Sequence, residues 1–135
     1  MITITIPGQP FGKQRPRSTK QGRVYTPAET VNKEAFVKMC ATHALPPEYE
    51  IDARPLFLTL EAVCVVPGSW SRKKQLEAME GRLRPTGKPD LDNIAKLYAD
   101  ALNGIVWKDD AQIVRMELSK RYGETPQTIV TVRSA

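Results

Sequence analysis

The run Leu56-Phe57-Leu58-Thr59-Leu60-Glu61-Ala62-Val63-Cys64-Val65-Val66 constrains this chain more than any other segment. At a period of two, Leu56, Leu58, Leu60, Ala62, Cys64 and Val66 share one face, and Phe57, Val63 and Val65 make the other partly apolar. A strand of that kind belongs in the middle of a sheet, bonded along both edges and covered on both faces. The rest of the chain must supply its neighbours. Residues 2–6, Ile-Thr-Ile-Thr-Ile, alternate as a strand with Ile2, Ile4 and Ile6 on one side, and Pro7-Gly8 ends it. Residues 112–121 alternate again, with Val114, Met116 and Leu118 opposite Arg115, Glu117 and Ser119. Gly123-Glu124-Thr125-Pro126 then turns into a last strand at 127–132, so the two are expected to pair as a terminal hairpin.

Helical signals fill the gaps between these strands. Thr26, Pro27 and Glu29 read as N-cap, N1 and N3 of a capping box. The helix that follows is expected to bury Val31, Ala35, Phe36, Met39 and Cys40 before Pro46-Pro47 stops it. A short helix over 72–80 has Ser71 as N-cap and Gly81 beyond its end. From Leu91 to Asn103, the spacing of Ile94, Leu97, Tyr98, Ala101 and Leu102 describes an amphipathic helix closed by Gly104. Residues 8–25 read as a long basic loop, and 41–55 carry no pattern that can be interpreted. The order of elements points to an α+β fold, a mixed β-sheet packed against helices, as one domain over 1–135.

With 135 residues, 41% of them hydrophobic, the chain can bury one core without disulfides or metals to hold it. No run of 18 apolar residues exists to span a membrane, and the first residues lack a signal peptide's basic and apolar regions. Cys40 and Cys64 lie in unrelated segments, as expected of free thiols in a reducing cytoplasm. A single histidine, His43, argues against a zinc site or a Ser–His triad. The net charge of +5 is unevenly spread. Residues 11–24 carry Lys13, Arg15, Arg17, Lys20 and Arg23 with no acid, and residues 72–88 carry +4, leaving the remainder at −4. Two concentrated basic segments on an acidic body suggest a polyanionic partner.

On the 91–103 helix, Asp92, Asn93, Lys96, Asp100 and Asn103 form a polar stripe, and Asp90 stands just before it. One reading is structural: Asp90 and Asp92 favour the helix N-terminus, while Asp92–Lys96 and Lys96–Asp100 form i,i+4 pairs. The other is chemical. Asp109 and Asp110 follow one helix length later, about 20 Å of rise. The connection from Gly104 reaches about 18–21 Å when extended, so a return to Asp90 and Asp92 is feasible but not forced. Carboxylates gathered within basic surroundings, Arg84 and Lys88 among them, suit a phosphodiester nuclease that binds Mg²⁺ or Mn²⁺ through hard oxygen ligands.

The run Lys88-Pro89-Asp90-Leu91-Asp92-Asn93-Ile94-Ala95-Lys96, then Asp100-Ala101-Leu102-Asn103-Gly104, then Asp109-Asp110-Ala111-Gln112-Ile113, resembles the signature of the RusA family. These are small Holliday-junction-resolving endodeoxyribonucleases of bacteria and their phages. The block covers residues 88–113, and Gly12-Lys13-Gln14-Arg15-Pro16-Arg17 with Tyr25-Thr26-Pro27 adds a weaker likeness to one branch. The resemblance implies a RusA-like two-layer domain in a cytoplasmic, Mg²⁺-dependent homodimer, Mn²⁺ serving as a substitute, that cuts four-way DNA junctions by paired symmetric incisions in recombination and repair. It implies Asp90, Asp92 and Asp110 as the catalytic, metal-binding acids and Lys96 as a catalytic cation, either stabilising charge at the scissile phosphate or orienting the carboxylates. Asp109 is a second candidate for the metal, and Asp100 is expected to pair with Lys96. Expected DNA contacts are Lys13, Arg15, Arg17, Lys20, Arg23, Arg82, Arg84 and Lys88. Trp70, Trp107 and Phe11 are candidates for a dimer interface or simply for the core. Two alternatives remain: a related structure-specific nuclease acting on flaps, forks or RNA, and a non-catalytic protein that binds branched DNA.

Overall fold

A computed structural model describes all residues, 1–135. In chain order the elements are β1 (Ile2–Pro7), β2 (Arg17–Ser18), β3 (Val24–Tyr25), α1 (Ala28–Ala44), β4 (Leu56–Val65), α2 (Arg72–Met79), α3 (Leu91–Ala101), a 3-10 turn (Asp110–Gln112), β5 (Ile113–Gly123) and β6 (Gln127–Ser134). The main sheet runs β1-β6-β4-β5. β4 is parallel to β5 and antiparallel to β6, and β6 is antiparallel to β1. The result is a mixed sheet in an α+β fold. β4 is central, as its two apolar faces require. Leu56, Leu58, Leu60 and Ala62 are buried on the helix side, and Phe57 and Val63 on the other. Phe57 is covered there by the guanidinium groups of Arg115 and Arg133, at 4.5 and 4.4 Å from its ring centre.

The expected terminal hairpin does not form. β5 and β6 flank β4 instead of pairing with each other. Two strand spacings amount to about 9.6 Å, and the three residues Glu124–Pro126 can bridge that distance. The chain passes so close over β4 that a Cβ on Gly123 would lie 2.4 Å from Val63 Cγ1. Inserting the doubly apolar β4 between β5 and β6 buries it better than an edge position would.

α1 and α3 lie together on one face of the sheet, α1 against β1 and α3 against β5. Val37, Ile94, Leu97, Leu102 and Trp107 from the helices and the loop after α3 meet Ile4, Leu58, Leu60 and Val130 from the sheet, all fully buried. α3 buries the expected stripe. α1 does so only in part: Phe36 and Cys40 pack partly buried against the core, but Val31, Ala35 and Met39 are exposed and the fully buried residues are Thr30, Val37 and Ala41. The capping box is also absent. Pro27 holds the N-cap position without a side-chain bond, and Thr30 Oγ1 instead accepts from Gln14 N–H and donates to Gln14 Oε1. The basic segment has more structure than a loop, because β2 and β3 form a small hairpin within it.

Candidate active site

Asp90 occupies the N-cap position of α3, but its carboxylate makes no capping bond and is exposed. The helix start therefore does not use the side chain that a purely structural reading assigns to it. The turn presenting Asp90 is held from two sides. Lys120 Nζ, on β5, donates to the Gly87 carbonyl (2.9 Å) and the Pro89 carbonyl (3.2 Å). The segment Pro10–Arg15 lies along the other side, where Lys13 N–H donates to the Asn93 carbonyl at 3.0 Å. Gly12 permits this approach, since a Cβ there would be 2.8 Å from Pro89 Cβ. A groove of about 530 Å³ runs between the two segments, with Arg15, Lys88, Asp90 and Asn93 among its walls.

One turn along α3, a second cleft of about 300 Å³ opens. Asp92, Lys96, Asp100 and Asp110 line it over a floor of Ala95, Ala99, Met116 and Leu118. The return of the chain to α3, which spacing alone left open, does occur. Asp110 meets Asp92 and Lys96 at this cleft, while Asp90 borders the neighbouring groove. No three metal-ligating side chains stand close enough together to form a ready-made cage.

Asp110 is half-buried and firmly placed. Asp109 caps the 3-10 turn, its Oδ1 accepting from Ala111 N–H (3.0 Å) while Gln112 Oε1 accepts from Asp109 N–H (2.8 Å). The Ala111 N–H holds the Asp109 carboxyl below the usual carboxylate range, with a further contribution from Asp110. Gln112 Nε2 donates to the carbonyls of Asp52 (2.8 Å) and Arg54 (3.1 Å). Tyr49 O–H donates to the Val106 carbonyl at 2.6 Å. The segment without a readable pattern is thus a brace for the loop that carries Asp110. Asn103 completes the support: its Nδ2 donates to Asp110 Oδ1 (3.3 Å), and its Oδ1 accepts from Trp107 Nε1 (2.8 Å).

The profile of RusA endodeoxyribonucleases matches residues 7–133, nearly the whole chain. This chain belongs to the RusA family. It is also 36% identical over 137 residues to an uncharacterized Bacillus subtilis (strain 168) protein, YqaN, an alignment covering 98% of this chain and 95% of that one. Membership in the RusA endodeoxyribonuclease family implies a nuclease, and the two clefts on α3 are where its acidic residues converge.

The remaining expected residues fall into two groups. Arg15, Arg17, Lys20 and Arg23 are exposed along the segment bearing the β2–β3 hairpin. Lys88 is exposed at the groove, Arg82 pairs with Glu80 at 3.2 Å, and Arg84 Nη1 donates to the Lys120 carbonyl at 3.4 Å. Lys13 differs from its neighbours. Its ammonium turns inward to Asp100 Oδ2 (2.5 Å) and Glu34 Oε1 (3.3 Å), so it does not stand free as a phosphate contact. Asp100 accordingly pairs with Lys13 and not with Lys96, which has no carboxylate within ion-pair distance. Trp107 is wholly buried, while Trp70 packs edge-on against Tyr122 with Lys74 above it. Asn103 and Gln112 stood in the quoted motif without a role assigned to them, and Tyr49 and Lys120 were not singled out by the sequence. Only the Asp-x-x-Gln spacing of Asp109 and Gln112, a capping-box pattern, was available to signal any of them.

Proposed function

We propose that this RusA-family chain is a divalent-metal-dependent endonuclease that resolves Holliday junctions by paired, symmetric incisions, working as a homodimer in DNA recombination and repair. The observation that carries the reading is that Asp92, Lys96 and Asp110 open into one cleft. The donor chemistry fits the metal. Mg²⁺ takes hard oxygen ligands, keeps several waters, and is commonly held by one or two carboxylates together with substrate phosphate oxygens, so it does not require an all-protein cage. Asp92 and Asp110 would hold it, with Asp90 approaching from the adjoining groove, and Mn²⁺ has the same ligand preference. When bound, the ion supplies charge neutralisation and activation of water.

The chain's own residues do the remaining work. Lys96, exposed and unpaired, directs an ammonium at the phosphate in the cleft. Arg15 and Lys88 at the groove would hold flanking phosphates, and the exposed Arg17, Lys20, Arg23, Arg82 and Arg84 are the further cations available to the DNA backbone. Two-fold pairing of chains would present two such clefts to the two equivalent strands of a junction.

The test is cleavage of an end-labelled four-way junction beside a flap, a fork and a linear duplex. Mg²⁺, Mn²⁺ and EDTA are compared, with Asp92→Asn as the inactive control. Paired, ligatable nicks confined to the junction, lost in EDTA and in the variant, are expected. Preference for flaps or forks would replace the substrate while keeping the site. Junction binding without scission under any metal would refute the nuclease reading of this chain.

A further inference from the structure

We infer that Lys13 is a positioning residue of the cleft: by holding Asp100 it keeps Lys96 free to meet the scissile phosphate. The inference rests on the nuclease reading above and assigns a role within it. Of the five cations between residues 11 and 24, Lys13 is the one turned into the protein, its side chain 22% exposed. Its ammonium contacts Asp100 on α3 and Glu34 on α1, and its backbone N–H is bonded to Asn93. Glu34 Oε1 is buried and has no hydrogen-bond partner, so the Lys13 charge is what compensates it. Burial opposes the charge on Lys13, but Asp100 and Glu34 outweigh it and hold the group above the ordinary lysine range.

Lys96 sits one helical turn from Asp92 on one side and from Asp100 on the other, the spacing at which ion pairs form on a helix. Neither acid holds it. With Asp100 occupied by Lys13, Asp92 is the remaining competitor, and Asp92 is the residue committed to the metal. Removing the Lys13 charge would have two effects with the same sign. Asp100 would be released to capture Lys96, and an uncompensated carboxylate would line a cleft that must accept phosphate. This geometry also accounts for a cation of the basic segment that faces away from solvent.

The experiment is a double-mutant cycle of Lys13→Met, Asp100→Asn and the double variant, with Lys13→Gln as a second removal of the charge. Folding of each is checked by thermal melting. Steady-state junction cleavage is measured in Mg²⁺, and the salt dependence of junction binding in EDTA. Lys13→Met and Lys13→Gln are expected to lose about tenfold or more in kcat, and the double variant to recover to within about threefold of Asp100→Asn. The slope of log K against log salt should stay that of the wild type. A phosphate contact would instead lower the slope by about 0.9 for the lost contact and leave the double variant no better than Lys13→Met. Either of those results overturns the inference. If Lys13→Met does not fold, the Lys13→Gln and double variants carry the same comparison. Loss of cleavage by the wild type itself would refute the nuclease reading, an outcome distinct from a failed rescue.

Discussion

Asn103 offers a quantitative test of how the cleft is held together. Trp107 is fully buried, and its indole N–H can only donate. It bonds to Asn103 Oδ1 at 2.8 Å, which settles the orientation of the amide and turns Nδ2 toward Asp110. Asn103→Leu removes both bonds. Leaving a buried N–H without a partner costs about 1–3 kcal/mol, and the longer, half-exposed bond to Asp110 adds about 0.5–1 kcal/mol. A total near 2–3 kcal/mol should lower Tm by about 8–12 °C in a chain of this size. Trp107→Phe removes the donor itself, so its cost is mainly lost packing, about 1–2 kcal/mol. In the double variant the orphaned N–H no longer exists, and the two single costs should exceed the combined cost by about 1–2 kcal/mol. Urea unfolding of the four proteins measures this directly, provided the m-values agree. Additivity within about 0.3 kcal/mol would show that the Trp107–Asn103 bond contributes nothing, and the account of how Asp110 is positioned would fail with it. Asn103→Leu should also lower kcat for junction cleavage more than it changes junction affinity, because Asp110 remains present but is no longer aimed.

Two further outcomes follow from the fold. Arg54, through its side-chain bond and then its backbone N–H, holds the Asp52 carboxyl below the usual carboxylate range. A group depressed on folding contributes stability above its unfolded value near 3.8, and that contribution is lost as pH falls through the folded value. The Tm difference between wild type and Asp52→Asn should therefore close on acidification below about pH 4, as followed by circular dichroism, and a constant difference down to about pH 2.5 would contradict it. Gly123→Ala places a Cβ 2.4 Å from Val63 Cγ1 where the chain crosses β4, and should destabilise by about 1–3 kcal/mol. Val63→Ala in the same chain should recover part of that loss by denaturant unfolding, and no recovery would place the strain elsewhere.

The elements of this fold could be read from the sequence wherever one physical signal acted alone. β1, β4 and α3 have clean periodicities, and the structure keeps them. At α1 and at the β5–β6 connection, tertiary contacts outweighed a local pattern. On α1 the buried face contains Thr30, bonded to Gln14, and includes Glu34 facing Lys13, so two polar residues stand where an apolar stripe was sought. Those partners lie some 16 to 21 positions away in sequence, outside any helical period. The β5–β6 turn has the composition of a hairpin turn, but local composition cannot report that a doubly apolar strand formed earlier will occupy the space between its arms.

The site divides in the same way. Asp92, Lys96 and Asp100 are one turn apart on a single helix, so their common face follows from helical geometry. That Asp110 joins them depends on the brace from Tyr49, Asp52 and Arg54, which acts largely through backbone carbonyls. Carbonyls are present at every position and leave no trace in residue type, which is why 41–55 carried no pattern. The pairing of Lys13 was hidden for the opposite reason, because its residue type was too suggestive. Within a run of five cations, one lysine looks like the others. The acids that claim it, Glu34 and Asp100, lie on helices whose contact with the basic segment is set by the backbone bond from Lys13 to Asn93 and by the absence of a side chain at Gly12. Charge composition identifies the class of partner that a surface attracts. Which individual cations face that partner is decided by the nearest carboxylate, and for Lys13 that carboxylate is Asp100 on the protein's own helix α3.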